Sequence, residues 1–257
     1  MRRKPEMGKY LLWLFFRRSS QVRRYLPATK RYSKDTFKEF MGRYTSVYVK
    51  PVAGSRGKGI LKTWKQNGKI WVQKNVYHPQ VFSNLDDAIR FIDRERQGRA
   101  YIVQQGLNLA VIGGKPLDIR VMMQREKPGG RWLYSGMIAK IAGGSSIVTN
   151  VAISKGSVME VNEAIRKSLK WNDKKINNCI NEMIQLSFQA AKHFDTYQLY
   201  RELGFDIAVD KKGQIWMIEE NTGPSHPLFA HLKSNLSMYR RIQARWGQFE
   251  RARKGNK

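Results

Sequence analysis

The pattern that most constrains the fold is a pair of short strands that end in polar residues near the C-terminal end of the chain. Residues 205–207 and 217–221 have strand character and are joined by a turn of sequence Asp-Lys-Lys-Gly. Strands joined by so short a turn pair antiparallel, so the oxygens of Asp206, Glu219 and Asn221 are expected to converge. Mg²⁺ prefers such hard oxygen ligands and fills its other positions with phosphate oxygens and water. The pattern therefore predicts nucleotide phosphate chemistry, and an ordinary hairpin with solvated acids is the alternative.

The charge of the chain points to an anionic partner without choosing among them. The 257 residues include 48 Lys and Arg against 20 Asp and Glu, a formal net charge of +28. A charge of this size favours binding to nucleic acid, a nucleotide, an acidic protein or an anionic surface. Basic residues are densest at the two ends of the chain, where solvated helix faces are the ordinary explanation.

No segment has the length of continuous apolar sequence that a membrane span needs, which is about 18 residues. The apolar run at residues 10–16 ends in Arg17 and Arg18 without a small-residue cleavage site, so it is interpreted as the buried face of a helix over about 8–24 rather than a secretory signal. The single Cys179 excludes an internal disulfide framework and fits a reducing compartment such as the cytoplasm.

Periodicity and turn signals predict an α+β chain in which antiparallel strands outnumber helices. Besides the first helix, helices are predicted from Ser33, over 86–97 and over 173–194, and two basic helices end the chain. Strands are predicted at 46–50, from Ile60, from Lys69, and at 101–105, 117–124, 132–141 and 146–152.

Two features have the chemistry of phosphate binding. The glycine-rich turn at residues 54–59 lets the backbone approach an anion, although it lacks the Lys-Ser/Thr ending of a Walker loop, and a plain hairpin turn is the alternative. Lys50, Arg120 and Lys140 fall among aliphatic residues on predicted strands. Charges in such positions either point outward to solvent or have a partner, because an unpaired ion removed from water is very costly.

The order of these motifs resembles the sequence plan of the ATP-grasp superfamily, and within it the YheC/YheD group of spore-coat-associated proteins. The resemblance covers about residues 9–231 and rests on Lys50-Pro51 before the glycine turn, residues 103–107, Asp118-Ile119-Arg120, Lys140, Thr149-Asn150, Phe205-Asp206 and Glu219-Glu220-Asn221. It implies two α+β lobes whose antiparallel sheets clamp ATP. The expected divisions are an N-terminal lead-in (1–35), a first lobe with a mobile glycine-rich lid (36–106), a second lobe with the metal site (107–234) and a basic tail (235–257).

The resemblance also implies a role for each matching residue. Arg120 and Lys140 neutralise the transferring phosphate, and Asp206, Glu219 and Asn221 hold Mg²⁺. ATP is bound by Lys9, Lys50, Gly54, Ser55, Gly57, Lys58, Gly59, Gln104, Gln105, Gly106, Leu107 and Asn150. Residues 104–107 are the hinge whose backbone pairs with adenine, and Gln105 stands where many relatives have Glu.

The implied activity is ATP- and Mg²⁺-dependent ligation of a carboxylate to an amine or thiol through an acyl-phosphate. The chain begins at the ATP-grasp core without the α/β domain that precedes it in related ligases, so a partner, the basic surface or a macromolecular acceptor such as an acidic peptide or protein is expected to complete the acceptor site. An ATP-grasp kinase and a non-catalytic spore-coat protein are the alternatives. Nucleic-acid binding rests on charge alone and is not favoured.

Overall fold

The computed structural model describes residues 7–54, 57–144, 146–147, 149 and 154–255. The helices are α1 (Lys9–Arg17), α2 (Lys34–Arg43), α3 (Leu85–Arg96), α4 (Val161–Leu169), α5 (Asp173–Phe194), α6 (Pro227–Ala230) and α7 (Ser237–Gly255), with a 3₁₀ turn at Arg23–Tyr25. None of the helices in these ranges combines the length and apolarity needed to cross a bilayer.

The first sheet is formed by the N-terminal half of the chain. Its strands are β1 (Thr29–Arg31), β2 (Ser46–Pro51), β3 (Leu61–Gln66), β4 (Lys69–Lys74), β5 (Gln80–Phe82) and β6 (Tyr101–Gln105). They pair antiparallel in the order β1-β6-β2-β3-β4-β5. The strands alternate, so Val47 and Val49 of β2 are buried in the core beneath α2 and α3, while Tyr48 and Lys50 face the other side.

The second sheet is also antiparallel and is covered on both faces. Its strands are β7 (Val111–Ile112), β8 (Lys115–Gln124), β9 (Leu133–Ile141), β10 (Ser157–Met159), β11 (Glu202–Val209) and β12 (Ile215–Asn221). The order is β10-β9-β8-β11-β12, and β7 pairs with the start of β8. One face, which includes Ile119 and Phe205, forms the largest core with α5. On the other face Met122 and Ile138 pack with residues of α6 and α7.

The N-terminal helix ends earlier than the sequence predicts. Residues 8–24 were expected to form one helix, but α1 stops at Arg17 and a 3₁₀ turn follows at Arg23–Tyr25. Phe16, Val22 and Tyr25 are all buried in the same core. Their spacing of six and three residues does not follow one helical stripe, so the chain turns after α1 to bury all three.

Other predicted elements agree closely with the structure, with two exceptions. Ser33 is the N-cap of α2, its hydroxyl accepting from the Thr36 N–H and its own N–H donating to the Thr36 hydroxyl, which is a capping box. Two basic helices were predicted at the end of the chain, but among the described residues α6 is a four-residue apolar helix and only α7 is basic. The prediction of a strand at 146–152 is wrong for the residues that the structure describes, because Ser146, Ile147 and Thr149 are not in a strand. Residues 145, 148 and 150–153 lie outside the described ranges. The division into four segments stays a prediction.

Candidate functional site

A cleft of about 450 Å³ lies between the two sheets. The predicted site residues that line it are Lys50, Gly57, Gln104, Gln105, Leu107, Arg120, Lys140, Asp206, Glu219 and Asn221. The cleft thus joins residues that are more than 170 positions apart in the sequence, from Tyr48 on β2 to Ser225 after β12.

Strand register explains why the polar side chains of the second sheet share one face. Asp118 and Arg120 are two residues apart on β8 and therefore point to the same side. Lys140 of β9 is opposite Asp118, and Asp206 of β11 is opposite Arg120. Glu219 of β12 is opposite Asp206, next to a bulge at Ile218 of β12. The functional residues are thus successive cross-strand neighbours on one surface.

Asp206 is the centre of this polar network. Arg120 donates to it through two nitrogens, Nε to Oδ1 at 2.7 Å and Nη2 to Oδ2 at 3.0 Å. The Lys140 ammonium lies 2.9 Å from Asp206 Oδ1 and 2.8 Å from Asp118 Oδ1. The Thr149 hydroxyl donates to the other oxygen of Asp118. All four ionised side chains are buried, and this pairing is what permits the charges to leave water.

The pairing also keeps these groups ionised. Burial opposes the charge of Asp206, but Arg120 and Lys140 outweigh it and hold the pKa of that carboxyl well below its usual range. Burial likewise opposes the charge of Lys140, and the facing carboxylates raise the pKa of its ammonium group above the ordinary value. For Asp118, burial raises the pKa and exceeds the opposing effect of Lys140. Asp118 is thus the carboxylate of this network that protonates first.

Lys50 reaches the cleft from the first sheet. Its ammonium group donates to Gln104 Oε1 at 2.6 Å, and the Gln104 amide donates in turn to the Thr29 hydroxyl at 3.0 Å. Burial lowers the pKa of Lys50 to about 8, and the attraction of Glu219 and Asp118 offsets only part of this effect. Within the described part of the chain, Lys50 has no carboxylate within 4 Å.

Lys9 at the start of α1 connects the glycine-rich turn to β12. Its ammonium group donates to the Gly54 carbonyl at 2.8 Å and lies 3.0 Å from Glu219 Oε1. Its backbone N–H donates to the Val52 carbonyl at 2.9 Å. Lys9 lines a smaller cavity that adjoins the cleft and shares Lys50 and Glu219 with it.

The glycine-rich turn has the backbone geometry that its glycines permit. Gly54, Gly57 and Gly59 have φ angles of 119°, 74° and 73°, a region that other residues rarely adopt. Gly57 lines the cleft, whereas the exposed Lys58 does not. Ser55 lies outside the described residues, as does Asn150 at the other predicted phosphate contact.

The predicted hinge is held to its neighbours through its backbone. The Gln105 N–H donates to the Ala28 carbonyl at 2.9 Å, and the Gly106 N–H donates to the Ser46 carbonyl at 2.8 Å. The N–H groups of Gln105 and Gly106 are therefore used within the protein.

The oxygen ligands available for a divalent metal suit Mg²⁺ bound together with phosphate. In the described ranges no three His, Cys, Asp or Glu side chains form a self-contained metal site. Both oxygens of Asp206 already accept from cations, whereas the Glu219 side chain is 38% exposed. The Asn221 amide nitrogen lies 3.4 Å from the Gly204 carbonyl and 3.5 Å from Asp206, which keeps its carbonyl oxygen for another ligand. Such an incomplete set fits Mg²⁺, which takes few protein ligands and completes its shell with phosphate and water.

Sequence reasoning missed Asp118 and Thr149 as members of the site. Asp118 was noticed only as part of the Asp118-Ile119-Arg120 motif. Strand alternation carries the missing signal, because a residue two positions before Arg120 must share its face. Thr149 follows an irregular segment, and no periodicity places it beside Asp118.

Comparison with protein families gives a match over nearly the whole chain. Residues 4–248 match a family described as YheC/D like ATP-grasp. The endospore coat-associated proteins YheD and YheC of Bacillus subtilis (strain 168) are 28% and 24% identical over 77% and 80% of this chain. The probable tubulin polyglutamylase ttll-9 of Caenorhabditis elegans is 23% identical over 69% of it. The matches cover 44%, 56% and 45% of these three relatives, so the chain spans about half of their length.

A solved structure with a similar fold is the C-terminal domain of K. lactis Pby1, an ATP-grasp enzyme that interacts with the mRNA decapping enzyme Dcp2. The TM-score is 0.53 at 16% identity, and the match covers 88% of this chain and 68% of that one. The two antiparallel sheets are therefore those of the ATP-grasp fold.

Proposed function

Because the chain belongs to the YheC/D-like ATP-grasp family, we propose that it binds ATP with Mg²⁺ in the cleft and ligates a carboxylate to an amine or thiol. In the proposed reaction the carboxylate oxygen attacks the γ-phosphorus of ATP and ADP leaves. The amine nitrogen or thiol sulfur then attacks the acyl carbon, loses its proton, and releases inorganic phosphate.

The observation that carries the proposal is that cations face the cleft from both sheets and that one of them, Lys50, has no carboxylate partner within 4 Å among the described residues. Arg120 and Lys140 are compensated by Asp118 and Asp206, whereas the ammonium group of Lys50 contacts a neutral amide. An anion placed between the sheets would supply the charge that Lys50 lacks. A nucleotide polyphosphate carries negative charge of this kind, and both Lys50 and Arg120 line the cleft that would hold it.

The proposed work of these residues is positioning and charge neutralisation rather than covalent catalysis. Lys50 would bind the phosphates nearest the nucleoside, and Arg120 and Lys140 would neutralise the phosphoryl group in transfer. Glu219 and Asn221, with Asp206 behind them, would hold Mg²⁺, which when bound supplies a Lewis acid and a template. The hinge at 104–107 would receive the base.

An acidic peptide or protein is the proposed class of macromolecular substrate. One relative is named as a probable tubulin polyglutamylase, which supports a carboxylate-bearing protein as the acceptor. The net charge of +28 favours encounter with an acidic chain.

Nucleotide binding is tested by thermal unfolding of the protein with and without Mg-ATP. At a ligand concentration of 100 times Kd the folded state gains about 2.7 kcal/mol, which for a chain of this size is a rise of about 5–10 °C in Tm. Lys50→Met is expected to lose most of this rise. Lys69→Met, at an exposed lysine on the same sheet, should keep it. A wild-type protein that saturating Mg-ATP does not stabilise would refute the proposal.

Turnover is tested with Glu219→Gln, followed by ADP release in the presence of amino acids and acidic peptides. Loss of one electrostatic contact of this kind typically costs roughly 100- to 1,000-fold in rate. The half-exposed pair with Lys9 contributes only about 0–1 kcal/mol, so the fold should be unaffected. Mass analysis separates a new amide from a phosphate ester, which would indicate a kinase. Unchanged turnover in folded Glu219→Gln would contradict the metal assignment.

A further inference from the structure

The cleft face of the second sheet continues beyond the ion network towards α7. Along β8 and β11 the same face carries the register pairs Met122↔Gly204 and Gln124↔Glu202 after Arg120↔Asp206. The segment 222–226, which follows Asn221 at the end of β12, lies beside this continuation, and its Gly223 and Ser225 line the cleft. The neighbours of this segment therefore influence the shape of one cleft wall.

Gly204 adjoins both the segment and the Arg120 side chain. A Cβ atom added at Gly204 would stand 2.8 Å from the Pro224 Cβ and 3.1 Å from the Arg120 Cδ. Pro224 is buried, so the proline ring and the arginine side chain meet in the space that a larger residue at position 204 would fill. The segment is thus one boundary of the space available to the Arg120 guanidinium.

The far end of the segment is fastened by a partly buried hydrogen bond. His226 Nε2 lies 2.8 Å from Glu202 Oε2, and this oxygen also accepts from Gln124 Nε2 at 3.1 Å. The other Glu202 oxygen accepts from Arg201 Nη2 at 3.0 Å. Glu202 is 5% exposed and Gln124 is fully buried, so the bond is shielded from water on the Glu202 side.

The same network reaches the C-terminal helix. Gln124 Oε1 accepts from the Ser135 hydroxyl at 2.7 Å, and Arg245 of α7 donates to that hydroxyl at 2.9 Å. Gln124 Nε2 also donates to the Ile242 carbonyl at 3.2 Å. The partners of Glu202 are therefore themselves held in place, and His226 is fastened to a rigid anchor.

We propose that His226 is a positioning residue. Through Glu202 it holds segment 222–226 beside Arg120 and so fixes the position of the Arg120 guanidinium group in the cleft. This rests on the proposed function in one respect, that Arg120 contacts the phosphoryl group in transfer. Glu202 and Gln124 support His226, and Gly204 provides the room for the contact.

The structure indicates that the histidine can be removed without loss of the fold. Without the imidazole, Glu202 keeps Arg201 and Gln124 as partners, so no buried carboxylate is left unpaired. Burial raises the pKa of Glu202, but His226 and then Arg201 and Gln124 outweigh it and hold the pKa below the usual value. His226→Leu should therefore free the segment while leaving both sheets intact.

The test compares His226→Leu with His226→Gln, whose amide can still donate to Glu202, and with His193→Leu as the matched control. His193 also makes a single Nε2 hydrogen bond, 3.0 Å from the Phe15 carbonyl, but on α5 on the other side of the sheet. The first readout is the NMR signal of the Arg120 Nε–H, which donates to Asp206 and needs no ligand or activity. Faster hydrogen exchange and a shifted signal are expected in His226→Leu alone.

The second readout compares the effect of each substitution on the affinity for Mg-ATP with its effect on kcat. Displacement of a catalytic group by about 1 Å costs roughly 100-fold. We therefore expect about that loss in kcat for His226→Leu, with Mg-ATP affinity nearly unchanged and activity largely restored in His226→Gln. Gly204→Ala, which displaces Pro224 by steric contact, should reproduce the Arg120 signal change.

An unchanged Arg120 signal in His226→Leu would overturn the inference whatever Gly204→Ala shows, because a Cβ at position 204 also contacts the Arg120 side chain directly. An equal change of the Arg120 signal in His193→Leu would also overturn the inference, because it would show a general loss of packing. If instead wild-type protein does not bind Mg-ATP while the Arg120 signal still responds to His226, the proposed function fails and the positioning contact stands.

Discussion

Lys50 differs from the other cleft cations in the partner that its ammonium group has. Arg120 and Lys140 are buried beside carboxylates, and this resolves the two possibilities that their aliphatic neighbours left open in the sequence. Lys50 contacts the amide oxygen of Gln104 instead, and burial lowers its pKa to about 8. It is therefore the cleft cation whose charge changes most readily near neutral pH.

This difference predicts a pH dependence of nucleotide binding. Bound phosphate favours the protonated ammonium group, so the Lys50 pKa is higher in the complex than the value of about 8 in the free protein. Below pH 8 the Lys50 ammonium group is protonated in both the free protein and the complex, so the affinity for Mg-ATP does not change with pH. Above pH 8 the free protein must gain a proton on binding, so affinity should fall with rising pH, by at most about tenfold per pH unit.

Titration of the Mg-ATP dissociation constant between pH 6.5 and 9.5, about 1.5 pH units either side of that pKa, checks this dependence. Lys50→Met should bind weakly with a flat profile, because its side chain does not titrate. Lys69→Met is the control and should keep the wild-type profile. A wild-type affinity that does not change above pH 8 would mean that Lys50 does not contact the phosphates.

At the scale of elements, local patterns predicted the longer strands and helices well, because their apolar spacing is regular. The short strands β1, β5, β7 and β10 were not predicted, since two or three residues are too few to show alternation. Helix α4 was not predicted either. The early end of α1 also had no local signal, because Val22 and Tyr25 are drawn away from the helix by a distant core. Tertiary packing decides such boundaries, and sequence periodicity does not record it.

The junction between β6 and the following segment depends on a glycine that other residues cannot replace. A Cβ at Gly106 would lie 2.1 Å from the Ser46 hydroxyl oxygen and 2.6 Å from the Ser46 carbonyl oxygen. Gly106→Ala must therefore break the hydrogen bond from its N–H to that carbonyl or separate β6 from β2. Overpacking of this kind costs typically about 1–3 kcal/mol, and we expect that loss in the free energy of unfolding.

Gly42→Ala is the matched control for this prediction. Gly42 is exposed within α2, and an added Cβ there meets nothing within 4 Å. Alanine in a helix interior is about 0.5–1 kcal/mol more favourable than glycine, so this variant should be stabilised. Urea denaturation of both variants measures the contrast. Equal effects would show that the contact between Gly106 and Ser46 does not constrain the hinge.

At the scale of the whole molecule, the site exists only because the two sheets face each other. The sequence placed Asp206, Glu219 and Asn221 together through one hairpin, but Lys50 could be placed opposite them only through the family resemblance. Helix α1 fixes this arrangement at the edge of the cleft. Lys9 connects Gly54 with Glu219, and Phe16 is buried beside α5 of the second lobe.

The net charge of +28 acts on the molecule as a whole and predicts how salt changes its stability. Surface ion pairs such as Lys38–Asp86 contribute little to stability, and salt weakens them. Repulsion among the excess cations extends over about 30 Å at 0.01 M salt but only about 8 Å at 0.15 M. Since cations outnumber acids by more than two to one, relief of repulsion should exceed the loss of ion pairs.

We therefore expect Tm to rise when NaCl is increased from about 0.01 M to 0.15 M, and to rise little further once the screening length is shorter than the spacing between charges. Calorimetry without nucleotide measures this directly. Lys50→Met should show the same rise as the wild-type protein, because screening acts on the whole surface rather than on the cleft. A Tm that falls with NaCl would mean that ion pairs dominate. A rise that disappears in Lys50→Met would mean that chloride stabilises the protein by binding in the cleft. Screening of repulsion among surface charges would then not explain the rise.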